Sequence, residues 1–204
     1  MTRSFFVLLG LVLSAGIMAL AWATDGFRIV TSEGERALAI ERSPLAVPDA
    51  ALVDQDGDVL SINDYSGRTL LVDFIYTRCP TICTFAGDGF QHVLARLGKD
   101  TAGSRVDLLS ISFDLQNDDR EALKLYGQRF GAVAPHWRIA KPADPYSLVL
   151  LLKAFGVIVI PDGLGGFVHN SAVYLVDARG RLVRMLDPDM PEQIVAFSEH
   201  ESNE

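Results

Sequence analysis

The segment Thr69–Tyr76 (TLLVDFIY) runs straight into Thr77-Arg78-Cys79-Pro80-Thr81-Ile82-Cys83, and residues 82–97 then repeat apolar side chains at helical spacing, at Ile82, Phe85, Phe90, Val93, Leu94 and Leu97. A short apolar run rich in β-branched and aromatic residues predicts a strand buried on both faces, a situation that arises chiefly in partly parallel sheets covered by helices. The chain is thereby committed to a strand–loop–helix step with both cysteines at the junction.

The remaining pattern extends that step into one α/β unit. Ala51-Leu52-Val53 and Val59-Leu60 flank the turn-rich Asp54-Gln55-Asp56-Gly57-Asp58 and predict a hairpin. The alternating aspartates also suggest a calcium loop, but Tyr65 stands where such a loop needs a bidentate Glu. Arg105–Phe113 reads as a second buried strand, 118–130 as an amphipathic helix stopped by Gly131, 137–140 as a short strand and 145–155 as a third helix. Ser171–Val176 and Arg181–Leu186 around Asp177-Ala178-Arg179-Gly180 predict a second hairpin, Pro191–Ser198 a closing helix, and 199–204 an acidic, frayed tail. Strand–helix alternation followed by an antiparallel hairpin implies a mixed sheet flanked by helices. The compact domain is expected over 48–198.

Phe5 to Ala23 carries no charge over nineteen residues and is preceded only by Arg3. At ~1.5 Å per residue such a helix just crosses a ~30 Å hydrocarbon core. Residues 1–24 are therefore read as a transmembrane anchor. Cleavage as a signal peptide near Ala23 is the alternative, since Ala21-Trp22-Ala23 meets the small-x-small rule. With Arg3 retained inside, the remainder lies on the periplasmic side of the cytoplasmic membrane and carries 17 basic against 26 acidic residues, −9. That balance, with no Lys/Arg run, argues against nucleic acid as a partner. Residues 25–47 are mixed and weakly periodic, and read as a stalk or arm.

The chain has two cysteines, and their i, i+4 spacing puts them on one helical face, about 5–6 Å apart at Cβ. Both sulfurs can then reach one metal ion or, after a small adjustment, each other. A helix N-terminus favours thiolate over thiol, and Arg78 adds a neighbouring positive charge. Of the four histidines, His92 reads as a helix-flank residue, while His136 before a strand and His200 in the tail read as structural or solvated. His169 differs, because it ends the glycine-rich segment Pro161–Val168 and precedes a core strand. A flexible loop there could swing it over the cysteines, the alternative being a loop histidine bonded to backbone.

Val72-Asp73-Phe74-Ile75-Tyr76-Thr77-Arg78-Cys79-Pro80-Thr81-Ile82-Cys83, together with Val168-His169-Asn170-Ser171 leading into Tyr174-Leu175-Val176-Asp177, resembles the Sco/SenC family over roughly Val47–Phe197. These are copper-binding, thioredoxin-like proteins that assist assembly of the dinuclear CuA site of cytochrome c oxidase. The resemblance implies a thioredoxin-like fold with an N-terminal β-hairpin extension, one copper ion per chain, and Cys79, Cys83 and His169 as its ligands. Two soft thiolates suit Cu(I), and an added imidazole lets the site hold Cu(II). Where the family tends to show Asp-Pro-x-x-Asp-Thr-Pro, this chain has Asp114-Leu115-Gln116-Asn117-Asp118-Asp119-Arg120, keeping acids and losing both prolines. Asp114 is a candidate to support the ligands from behind or to dock a partner.

The expected function is a copper chaperone delivering to the CuA site of oxidase subunit II, a carrier without turnover, with another copper chaperone or a thiol reductant as further partner. The alternative is a thiol–disulfide oxidoreductase in which Cys79 attacks and Cys83 resolves. The usual redox motif has two residues between its cysteines; three intervene here, which leans toward metal. A copper-responsive redox sensor would use the same residues.

Overall fold

The computed structural model describes residues 2–24, 26, 31–79, 82–97, 105–190, 192–194 and 196–197; the side chains at 2–4, 82–85 and 97 lie outside that description. The chain divides into two units, Met1–Ser43 and Pro44–Glu204. In the first, α1 (Thr2–Ala23) contains Phe5–Ala23, a span long and apolar enough to cross a membrane.

The 25–47 stretch is more ordered than its weak periodicity suggests, because it contains α2 (Ser32–Arg42). Thr31 caps this helix, its hydroxyl accepting from Gly34 N at 3.0 Å, while Glu33 and Glu35 in the first turn and Arg42 in the last suit the helix dipole.

In the second unit β1 (Leu45–Ala46), β2 (Leu52–Asp54), β3 (Val59–Leu60), β4 (Thr69–Ile75), β5 (Val106–Ser112), β6 (Trp137–Pro142), β9 (Val173–Val176) and β10 (Arg181–Leu186) form an eight-stranded sheet in the order β1-β10-β9-β4-β5-β6-β2-β3. Strands β7 (Val159–Pro161) and β8 (Phe167–His169) make a separate antiparallel pair. The sheet is mixed: β4–β5 and β5–β6 are parallel and the other pairings antiparallel. The pairing of Leu45 with Leu182 starts the unit at Pro44, a few residues before the boundary read at 48.

Every residue of β4 and β5 is buried, as a strand covered on both faces requires. The crossovers are α3 (Ile82–Leu97) between β4 and β5, and α4 (Arg120–Phe130) between β5 and β6. On one face Phe90 of α3 meets Trp137 edge-on at 5.5 Å, and that indole donates to Ser110 Oγ. On the other, Phe155 of α5 (Pro145–Phe155) packs on Phe74 and Tyr174 at 5.2 and 5.1 Å. Asp119 and Asp144 cap α4 and α5, and Gly131 and Gly156 end them in the left-handed conformation that glycine adopts without strain.

Asp54 closes the β2–β3 turn by accepting from Asp56 N and Asp58 N, and its second oxygen takes the Arg138 guanidinium. The closing helix read over 191–198 lies partly outside the described residues; 192–194 and 196–197 are helical, and the 199–204 tail is outside.

Candidate metal centre

Parallel strands end their C-terminal edge in loops that converge; β4 leads there into the cysteines and β5 into the aspartates that hold them. After Ile75 the chain turns, Cys79 N donating to Tyr76 O at 3.1 Å, which holds Cys79 buried just beyond the strand. Cys83 lies in the first turn of α3, so its backbone is at a helix N-terminus. Its side chain is outside the described residues.

The residues just before Cys79 are gripped by two aspartates from the loop after β5. Asp118, fully buried, accepts from Thr77 N at 2.8 Å, from Thr77 Oγ1 at 2.6 Å and from the Ser112 hydroxyl. Asp114, 3% exposed, receives the Arg78 guanidinium at 2.9 Å and the backbone N and Nδ2 of Asn117. Burial alone would raise the Asp114 carboxyl, but the bonds from Arg78 and Asn117 outweigh it and hold it below its ordinary value. The Arg78 guanidinium, next to Cys79 in the chain, pairs with Asp114, at a residue separation of 36. Asn117 and the Asp118 N–H, which donates to Asp114 O at 3.0 Å, brace a loop that has neither of the family's prolines.

His169 arrives from the opposite face. It is the last residue of β8, and the segment read as a swinging glycine loop is instead a hairpin in which Val159 pairs with His169 and Pro161 with Phe167. Asp162 ties the turn, its Oδ1 accepting from Leu164 N at 2.7 Å and Gly166 N at 2.9 Å. A Cβ at Gly166 would stand 2.7 Å from Asp162 Oδ2 and 3.3 Å from the Tyr76 hydroxyl, so a glycine here serves close packing. Alternation along β8 turns Phe167 and His169 to the same side. There Phe167 meets Tyr76 and Phe113 at 5.3 and 5.4 Å, and the imidazole sits edge-on to Phe113 at 5.0 Å and to Tyr76 at 6.3 Å. Tyr76 is the residue whose carbonyl anchors Cys79, so the hairpin brings His169 to the strand end that carries Cys79. The His169 Nδ1 lies 2.9 Å from Asn170 O. A bond from Nδ1–H to that carbonyl leaves Nε2 as the lone-pair nitrogen, the arrangement that orients a metal-ligating histidine.

Cys79 and His169 thus reach one end of the sheet, with the Cys83 backbone in the adjoining helical turn. Among the described residues no three His, Cys, Asp or Glu side chains form a metal-binding group. His136 is apart from this end: its Nδ1 is 3.2 Å from Asp107 Oδ1 at the start of β5, and Asp107 also receives Arg68. His92 is exposed on α3 with its Nδ1 2.7 Å from Asp88 O, and His200 is outside the described residues.

Asp73 had no role in the sequence reading. It lies inside β4 at 1% exposure, neither oxygen has a hydrogen-bond partner among the described residues, and burial pushes its carboxyl up to about 7. The neighbouring Ser110, the Asp73 backbone and nearby His169 pull the other way and are outweighed.

A mixed sheet between helices, with two cysteines entering a helix from a parallel strand, defines a thioredoxin-like protein. The chain belongs to the SCO1/SenC family, whose sequence profile matches residues 42–200. It is 28% identical over 133 residues to the SCO1 protein homolog of Bacillus subtilis, covering 64% of this chain and 68% of that protein. The SCO2-like protein RC0895 of Rickettsia conorii is 26% identical over 161 residues, 75% of each chain. Among solved structures, Bradyrhizobium japonicum ScoI with copper bound superposes with a TM-score of 0.64 at 25% identity, covering 77% of this chain and 99% of that one. BsSco, described with a disulfide switch and as a member of the Sco family of cytochrome c oxidase assembly proteins, has the same fold at a TM-score of 0.66 and 23% identity, covering 79% and 95%.

Proposed function

We propose that this chain is a copper carrier that binds one copper ion through Cys79, Cys83 and His169 and delivers it to the CuA site of cytochrome c oxidase subunit II. The observation that carries this reading is the seating of His169: Phe113 and Tyr76 hold its ring at the end of β4 and β5, its Nδ1 faces a backbone carbonyl, and Cys79 is one turn away along the chain from Tyr76. Two thiolates suit Cu(I), and the imidazole adds the nitrogen that Cu(II) favours. Family membership and the copper-bound ScoI relative support the metal, and the description of BsSco supports the oxidase. The Phe5–Ala23 helix supports anchoring in the cytoplasmic membrane, with the Pro44–Glu204 unit on the periplasmic side. Asp114 acts here as the partner of Arg78 behind the ligands.

The second reading, a thiol–disulfide oxidoreductase acting on exported thiols such as those of the oxidase subunit, draws on the disulfide switch described for BsSco. His169→Ala separates the two. A carrier loses most of its copper affinity in this variant, whereas a pure dithiol protein keeps its reduction potential nearly unchanged. Equal copper affinity in wild type and His169→Ala would contradict the three-ligand site. In cells, deletion of a carrier lowers oxidase activity in a way that added copper restores at least in part.

A further inference from the structure

The Asp118 carboxylate is fully buried, and among the described residues no cation pairs with it. A buried charge is retained only where hydrogen bonds replace its water. Its bonds come from Ser112 at the end of β5 and from both the backbone N–H and the hydroxyl of Thr77. Thr77 is two residues before Cys79, in a stretch that no ladder holds because β4 ends at Ile75. The same aspartate is the residue before Asp119, the cap of α4, so its position is fixed from the other side by a helix start.

We propose that Asp118 is a positioning residue for copper binding: by gripping Thr77 it fixes the path of residues 77–79 and so the direction in which Cys79 presents its sulfur. This rests on the copper-carrier reading. It goes beyond that reading by assigning the geometry of a ligand to a carboxylate 39 residues away that touches no metal. Groups that orient metal ligands through a hydrogen bond are typically worth about 10–100-fold in affinity, and a carboxylate accepting both the N–H and the hydroxyl of one residue is a strong local constraint.

The test uses the full chain in detergent, reduced and titrated anaerobically with Cu(I), then examined as the Cu(II) form for its thiolate-to-copper absorption. Wild type, Asp118→Asn, Thr77→Val and Ile139→Ala are compared, the last a core truncation on β6, separated from β4 by β5. Asp118→Asn is expected to weaken copper about tenfold or more and to shift the absorption band; Thr77→Val, which keeps the N–H bond, shifts it in the same direction by less. Ile139→Ala is expected to lower the melting temperature while leaving affinity and band as in wild type. Wild-type affinity and spectrum in folded Asp118→Asn would overturn the proposal, as would equal copper loss in Ile139→Ala at matched stability. If Asp118→Asn does not fold, Thr77→Val decides, and a wild-type spectrum there overturns it. If wild type itself takes no copper, the carrier reading fails, and amide exchange in the metal-free protein decides the positioning role: faster exchange at Thr77 and Cys79 in Asp118→Asn or Thr77→Val upholds it, and unchanged exchange overturns it.

Discussion

The two halves of the site are held by different physics. The stretch before Cys79 is held by polar bonds from buried carboxylates, Asp118 on Thr77 and Asp114 on Arg78, each reaching about 40 residues along the chain. His169 sits against rings, with Phe113 and Tyr76 as the seat and its Nδ1 at the Asn170 carbonyl. Among the described residues the β7–β8 pair joins no other strand, and its outer face leaves Ile158, Ile160 and Val168 more than half exposed. Directional bonds fix a path; apolar contact fixes a position only as long as the area stays buried. A two-stranded hairpin with an exposed outer face is the kind of element that opens before the rest of a fold.

That contrast breaks most readily at Phe113. Phe113→Ala removes the shared seat of Tyr76, Phe167 and His169 and is expected to cost about 3–5 kcal/mol in urea unfolding. Amide protection should be lost in β7–β8 first while β4 and β5 stay protected; uniform loss across the sheet would erase the distinction between the halves.

The next effect is comparable in size and depends on pH. An unfolded chain releases the Asp73 proton near pH 4, whereas the folded chain keeps it to about 7. Between those values the folded state binds more protons, so stability falls as pH rises through this window and levels off above it, by up to about 4 kcal/mol. Asp73→Asn should abolish this component, leaving stability at pH 8 closer to that at pH 4; an unchanged pH profile would show that Asp73 is not held protonated.

The smallest effect sharpens the comparison from outside. Ile160→Ser, on the exposed face of β7, is expected to change stability by no more than about 0.5 kcal/mol and to leave His169 in place. A larger loss would mean that the outer face is packed in solution.

The two halves also differed in how far the sequence exposed them. The step from β4 through the cysteines to α3 was legible because burial, spacing and the glycine and aspartate ends of helices are local signals. So were α4, α5 and the β9–β10 hairpin. The grip of Asp118 on Thr77 and the pairing of Arg78 with Asp114 were not, since nothing local marks a bond between residues 41 or 36 apart. Asp114 was singled out only through the family pattern. In Pro161–Val168 three glycines read as flexibility, yet Gly163 and Gly165 take positive φ in a turn tied by Asp162, so they allow a tight reversal. Helix α2 was missed where charged residues blurred the apolar spacing, although Thr31, Glu33 and Glu35 carry an N-terminal signature.

The most direct test is the ratio of copper to protein after anaerobic reconstitution of the reduced chain, compared among wild type, Cys79→Ser, Cys83→Ser and His169→Ala. One copper per chain in wild type, with loss or marked weakening in every variant, is the predicted result. A reduced and folded wild type that retains no copper would contradict it and leave the dithiol chemistry of Cys79 and Cys83 as the function of this site.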